Sequence, residues 1–165
     1  MKRDQTFHER LIPMLVEGIG AHTYLEIGTD QNQTIGKVVA PVRIGMDPKA
    51  VPLDGCLMFN QTCEEFVLEN AIRHAPFDFV FIDADHKAAQ VRSDFMNIWP
   101  YVAEDGLVAL HDTNPEHVSD AQPGFCDDAW KFVVYLNGGG FEACTLPYHP
   151  GITLVRKRVA WGPKP

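Results

Sequence analysis

Residues 77–86, Phe-Asp-Phe-Val-Phe-Ile-Asp-Ala-Asp-His, constrain the fold more than any other stretch. Five of the six residues from Phe77 to Ile82 are apolar, the pattern of a strand buried on both faces. Such strands belong to parallel sheets covered by helices on either side. The run stops abruptly in Asp83, Asp85 and His86. In an open α/β sheet, ligands bind in the crevice beyond the carboxyl ends of the strands, so these side chains are predicted to stand at a functional edge. Residues 107–110, Leu-Val-Ala-Leu, form a second apolar run that ends in His111-Asp112-Thr113. If the two strands are neighbours, their polar ends meet in one small volume.

The remaining segments alternate in type. Phe7, Leu11, Met14, Leu15 and Ile19 have helical spacing, with Asp4 or Thr6 as cap, Pro13 as a weak point and Gly18 and Gly20 as the end. A strand over 24–27 is closed by Gly28-Thr29, and a short helix over 34–40 by Pro41. A strand over 42–46 ends in Asp47-Pro48, and a weaker one is predicted over 56–59. Thr62 with Glu65 makes a capping box for a helix carrying Phe66, Val67, Ala71 and Ile72. A helix over 87–99 presents Val91, Phe95, Ile98 and Trp99 and stops at Pro100; Glu104-Asp105-Gly106 reads as a turn. Residues 114–124 read as a loop, a helix starts at Asp127 or Asp128, and Asn137-Gly138-Gly139-Gly140 ends it. Two closing strands, 141–146 and 152–155, are expected to form a hairpin, followed by a basic tail. Without repeat or linker, the chain reads as one domain over 1–165: a helix in 1–19, a core over about 20–158 and a tail from 159. The expected fold is a doubly wound, mostly parallel sheet with an antiparallel hairpin at one edge.

Composition removes several function classes. A net charge of −8 lacks the basic footprint of a nucleic-acid binder. No apolar run reaches the length of a membrane span, and Met1-Lys2-Arg3-Asp4-Gln5 is no signal peptide, so a cytoplasmic setting is expected. Cys56, Cys63, Cys126 and Cys144 form neither a C-x-x-C pair nor a zinc spacing and read as reduced thiols. No G-x-S-x-G motif supports a serine nucleophile.

The strand ends carry the chemistry. Gly28 permits a tight turn and close approach of a ligand, but G-x-G-x-x-G is absent, and Glu26 and Asp30 disfavour a pyrophosphate. A ligand with positive charge suits this edge better; a plain strand-to-helix turn is the bland alternative. Asp47 stands about twenty residues after the first strand, where nucleotide-binding α/β folds place an acid for ribose hydroxyls; it equally suits an Asx-turn before Pro48. Asp83, Asp85, His111 and Asp112 offer hard oxygen donors and an imidazole to a divalent cation, although Asp85 also suits helix capping. His86 has the ordinary pKa of a general base near neutrality, and His117 in the loop is either near the same volume or in water.

Residues 24–29 (Tyr-Leu-Glu-Ile-Gly-Thr), Ile44-Gly45-Met46-Asp47-Pro48, the F-I-D-x-x-H of 81–86 and the H-D-T of 111–113 together resemble class I S-adenosylmethionine-dependent methyltransferases. The resemblance extends over roughly 20–158 and is nearest to a small bacterial group with those strand ends. It implies a seven-stranded Rossmann-like sheet with Glu26, Gly28 and Thr29 at the methionine end of S-adenosylmethionine. It also implies Asp47 at the ribose, Thr62 and Cys63 at the adenine, and Asp83 beside the cofactor. From related metal-dependent O-methyltransferases it implies Asp83, Asp112 and His111 on Mg²⁺ or another divalent cation and His86 as the base. The implied reaction is O-methylation of a hydroxylated small molecule or sugar. Separately, a small acidic domain with an open sheet edge suits a homodimer.

Two departures stand out. Asn32 and Gln33 replace glycines common in the group's first loop, and the N-terminal segment is short where relatives carry helices over the substrate. They keep two alternatives open: a cofactor-binding domain without turnover, and a metal-dependent hydrolase built on Asp83, Asp85, His111, Asp112 and His117.

Overall fold

The computed structural model describes residues 6–158; Asp4 and the tail from 159 lie outside the described residues. Seven strands form one sheet: β1 (Thr23–Ile27), β2 (Val42–Met46), β3 (Leu57–Phe59), β4 (Phe77–Ile82), β5 (Val102–His111), β6 (Glu142–Leu146) and β7 (Ile152–Arg156). Their order is β3-β2-β1-β4-β5-β7-β6. The first five pair in parallel, and β7 runs antiparallel to both β5 and β6. The order reverses between β1 and β4, which places a ligand crevice beyond the ends of those two strands.

The phase of the apolar residues builds two cores. Leu25, Ile27, Ile44, Val80 and Ile82 face one side of the sheet. There they meet Phe66 of α2 (Cys63–Phe66), Val91, Phe95 and Ile98 of α4 (Ala88–Ile98), and Phe132 and Leu136 of α5 (Trp130–Gly138). Tyr24, Phe79, Phe81 and Ala109 face the other side, against Ile12 and Val16 of α1 (His8–Gly18) and against Ile35 and Val38. Each of these side chains is almost fully buried, worth about 1.5–3 kcal/mol apiece for the larger aliphatic and aromatic groups.

Several elements differ from expectation for local reasons. The helix expected over 34–40 is a single 3-10 turn, Ile35–Lys37; Val38 is already extended, as the β-branched pair and Pro41 demand. The helix after Thr62 widens into a π-turn, Val67–Ala71, before α3 (Ile72–His74), and Ile72 faces solvent. The turn expected at 104–106 is an irregularity inside β5, with Asp105 at φ 64°. Asp127 has φ 44°, which delays α5 to Trp130.

Candidate functional site

A cleft of about 510 Å³ opens beyond β1, β2 and β4, within the size range of small-molecule sites. Gly28 and Asp30 form one side, Asp47 and Pro48 another, Thr62 and Cys63 a third, and Asp83 to Asp85 the floor. Asp47 is half-buried; its Oδ1 accepts from Lys49 N at 2.8 Å and its Oδ2 from Asp30 N at 3.3 Å. Asp47 thus makes the Asx-turn and also lines the cleft, with carboxylate lone pairs to spare. Thr62 spends its hydroxyl on the capping box with Glu65, so it faces the cleft mainly as wall. The thiol of Cys63 points to the Asp94 carbonyl at 3.7 Å, and burial pushes it up.

Two expected cofactor residues lie under the floor instead of lining the cleft. Glu26 is buried, takes a very short hydrogen bond from the Tyr24 hydroxyl, and is pushed up to about 8 by burial, against the opposing effect of that bond. It is largely protonated at neutral pH. Thr29 is buried, with a hydroxyl that has no partner. Neither Asn32 nor Gln33 lines the cleft: Asn32 Nδ2 donates to the Val51 carbonyl, and Gln33 Nε2 to Asp30 Oδ2. Asp94 and Gln90 of α4 complete the far wall, a contribution hidden in the sequence by their place inside a helix. Burial raises Asp94 to about 6, partly offset by the Gln90 hydrogen bond.

The polar ends of β4 and β5 meet, as their shared phase predicts. Ile82 pairs with Leu110, which puts Asp83 beside His111. His111 Nδ1 is 2.9 Å from Asp83 Oδ1 and 3.3 Å from Asp112 Oδ2. His86 Nδ1 is 3.1 Å from Asp112 Oδ2 and in very short contact with the Phe125 carbonyl, while its Nε2 lies 3.7 Å from Asp83 Oδ1. Asp112 adopts φ 57°, a left-handed conformation that Asp tolerates better than most residues. Oxygen atoms of Asp83 and Asp112 and a nitrogen of His86 lie within 4.8 Å of one another, as do donor atoms of His8, Asp83 and His111.

The charges of this cluster are interlocked. Burial works against ionisation of Asp83, but the charge and hydrogen bond of His111, with His86 and His8, hold its carboxyl well below the usual range. The hydrogen bond to Asp83 is the largest influence on His86; with Asp112 and the Phe125 carbonyl it overcomes desolvation and raises the imidazole to about 9. His111 rises to about 10, since Asp83 and Asp112 outweigh its burial. Cys126 donates to Asp112 Oδ1 at 3.4 Å and is pushed up to about 12, first by burial and then by that carboxylate, so it is no nucleophile.

A second hollow of about 220 Å³ adjoins the cluster, lined by His86, His111, Asp112, Asp120, Phe125 and His149 among others. His149 and His8 were not among the residues expected at the site. Asp85 and His117 are set apart from it. Asp85 pairs with Lys87 at 3.1 Å and accepts its backbone N–H, and His117 is exposed on another face of the loop. Asp128, not Asp85, accepts the N–H of Ala88 at the start of α4, at 2.6 Å.

The family described as "Methyltransferase domain" matches residues 25–113, from β1 to the end of the H-D-T segment. No curated protein matches the chain in sequence. Among solved structures, the cofactor-bound Rv0187 from MTB superposes with a TM-score of 0.75 at 16% identity, covering 95% of this chain and 82% of that one. An O-methyltransferase from Bacillus cereus in complex with SAH gives 0.65 at 15%, covering 93% and 82%. The MycE methyltransferase of the mycinamycin biosynthetic pathway, in complex with Mg, SAH and mycinamycin VI, gives 0.64 at 19%, covering 93% of this chain. The chain spans about half the length of MycE, 51%. These likenesses establish the shared fold.

Proposed function

The chain belongs to the methyltransferase-domain family and has the class I S-adenosylmethionine-dependent fold, and on that premise we propose that it moves a methyl group from S-adenosylmethionine to a hydroxyl oxygen of a small molecule. The observation that carries this reading is the junction of the 510 Å³ cleft with the Asp83–His86–His111–Asp112 cluster, through the shared side chain of Asp83. Asp47 would accept from the ribose hydroxyls. The acidic rim of Asp30, Asp47, Asp83 and Asp85 suits a ligand bearing an ammonium and a sulfonium. Glu26, largely protonated, contributes little to that field.

The donor set fits a divalent cation: donor atoms of Asp83, Asp112 and His86 converge, as do those of Asp83, His111 and His8, and His111 Nδ1 lies 2.9 Å from Asp83 Oδ1 and 3.3 Å from Asp112 Oδ2. Asp83, Asp112 and His111 would hold it. A cation there supplies the positive charge that neutralises Asp83 and Asp112 and polarises the acceptor hydroxyl. Asp83 and Asp112 hold His86 protonated at neutral pH, so it would take the base role only once a bound cation neutralises those carboxylates. Its Nδ1 is engaged by the Phe125 carbonyl, and Nε2, 3.7 Å from Asp83 Oδ1, would then take the hydroxyl proton. The O–CH₃ bond forms as the S–CH₃ bond breaks, its electron pair returning to sulfur; the products are the methyl ether, SAH and a proton on His86. In-line placement of the acceptor between His86 and the cleft is the main source of rate.

The acceptor enters through the hollow of His86, Phe125 and His149, whose size suits a single hydroxylated ring such as a sugar. The hydrolase alternative is weaker, because Asp85 and His117 stand away from the cluster. The non-catalytic alternative loses its main support, because Asn32 and Gln33 do not line the cleft.

The test is transfer of labelled methyl from S-adenosylmethionine to a panel of sugars, glycosides and phenols with Mg²⁺ or Mn²⁺ present. Label is expected in one acceptor class, and His86→Asn should lose about 10²–10⁴-fold in rate while cofactor affinity is kept. Equal transfer by His86→Asn would remove it from the base role.

A further inference from the structure

His8 lies in the first turn of α1, far in sequence from every strand end, yet it reaches the cluster. Its Nε2 stands 3.8 Å from Asp83 Oδ2, and its ring centroid is 4.2 Å from that of His111. Phe7 stacks on Tyr148 at 4.0 Å and so fixes the start of α1 against the turn between β6 and β7. Donor atoms of His8, Asp83 and His111 all lie within 4.8 Å of one another. In each ring the remaining nitrogen, Nδ1 of His8 and Nε2 of His111, is buried without a hydrogen-bond partner. Buried polar atoms are normally satisfied, and leaving one unmet costs about 1–3 kcal/mol. Two imidazoles and one carboxylate whose donor atoms converge are the donor types that a divalent transition ion takes. Bonds of about 2.0–2.1 Å from an ion to imidazole nitrogen set ligand atoms about 3–3.4 Å apart, so His8 Nε2, now 3.8 Å from Asp83 Oδ2, moves inward on binding.

We propose that His8 is a ligand of the divalent cation at this site, together with Asp83 and His111. Two imidazoles then bias the site towards a transition ion such as Mn²⁺, Co²⁺ or Zn²⁺ and away from Mg²⁺, which prefers oxygen donors. The inference rests on the metal-assisted reading above and adds to it a ligand and an ion preference. It also gives α1 a role: the helix closes the metal side of the site.

The full chain, stripped of metal with a chelator, is titrated calorimetrically with Co²⁺ and with Mg²⁺, and the visible absorption of bound Co²⁺ is recorded. The wild type is expected to bind Co²⁺ at least about tenfold more tightly than Mg²⁺. His8→Gln should weaken Co²⁺ by about 10–100-fold, the range of loss known for groups that support a metal site, and change its spectrum. S-adenosylmethionine affinity measured without metal should be unchanged. Pulsed electron paramagnetic resonance of the Mn²⁺-loaded wild type, which needs no variant to fold, should show two coupled imidazoles. A folded His8→Gln protein with wild-type Co²⁺ affinity and spectrum, or a single coupled imidazole, overturns the proposal and leaves the methyltransferase reading intact. A wild type that binds S-adenosylmethionine but no cation overturns both the ligand and the metal assistance.

Discussion

At the scale of single residues, Gly28 shows how a correct reading can rest on a different cause. The sequence marks it as a place where the backbone turns and a ligand approaches. In the structure it has φ +87°, and a Cβ there would lie 2.2 Å from the Asp83 carbonyl oxygen. The close approach is that of the chain itself, at the end of β4. Gly28→Ala should cost about 2–4 kcal/mol in denaturant unfolding, because it meets both a left-handed φ and backbone that cannot yield. Glu26 gives a pH prediction. Its folded pKa of about 8 lies above its ordinary value of 4.5, so between those values the folded protein holds a proton that the unfolded chain releases. Its contribution to stability is therefore present at low pH and lost as pH rises through that window, at up to about 1.4 kcal/mol per pH unit. Glu26→Gln, fixed in the neutral form, should lose less stability than the wild type between pH 5 and 8; parallel curves would contradict this. His8 and His149 could not be found from the sequence. One opens a helix and the other follows a strand, and no local pattern shows that both fold back on the site.

At the scale of elements, the capping box was legible in full. Thr62 and Glu65 exchange side-chain to backbone hydrogen bonds as the S/T-x-x-E pattern requires. Thr62→Ala should cost about 1 kcal/mol and Thr62→Ser much less, which chemical denaturation would resolve. The helix is also one wall of the cleft, so the alanine variant should weaken S-adenosylmethionine binding as well. The π-turn that follows was not legible, because it shifts the buried phase by residues too few to register in a periodic pattern. The turn at Ile35–Lys37 failed as a helix for the opposite reason: its apolar residues suit a helix, while Gly36 and the β-branched residues before Pro41 oppose one. In α1, Pro13 is accommodated inside the helix, and Ile12 and Val16 remain fully buried.

At the scale of the molecule, the doubly wound class of the sheet follows from the alternation of strands and helices, and the cluster follows from the pairing of β4 with β5. Both were readable because a strand that is apolar to its last residue announces where its polar end must go. The path of residues 113–129 was not readable, since it depends on tertiary contacts such as those of Phe125 with His86 and Cys126 with Asp112. Asp47 joins the scales: a single carboxylate at the end of β2, held by two backbone N–H groups, faces the cleft that the whole topology creates. Asp47→Ala should lower S-adenosylmethionine affinity by about tenfold or more, the value of one or two charge-assisted hydrogen bonds. Among the described residues, no helix is long and apolar enough to cross a membrane. The central claim is that this cleft binds S-adenosylmethionine beside a cation-ready base, and calorimetric titration of the purified chain with S-adenosylmethionine, with and without a divalent cation, tests it most directly. The account predicts saturable one-to-one binding with a micromolar dissociation constant, altered when the cation is present and weakened by Asp47→Ala. Absence of binding under both conditions would contradict it.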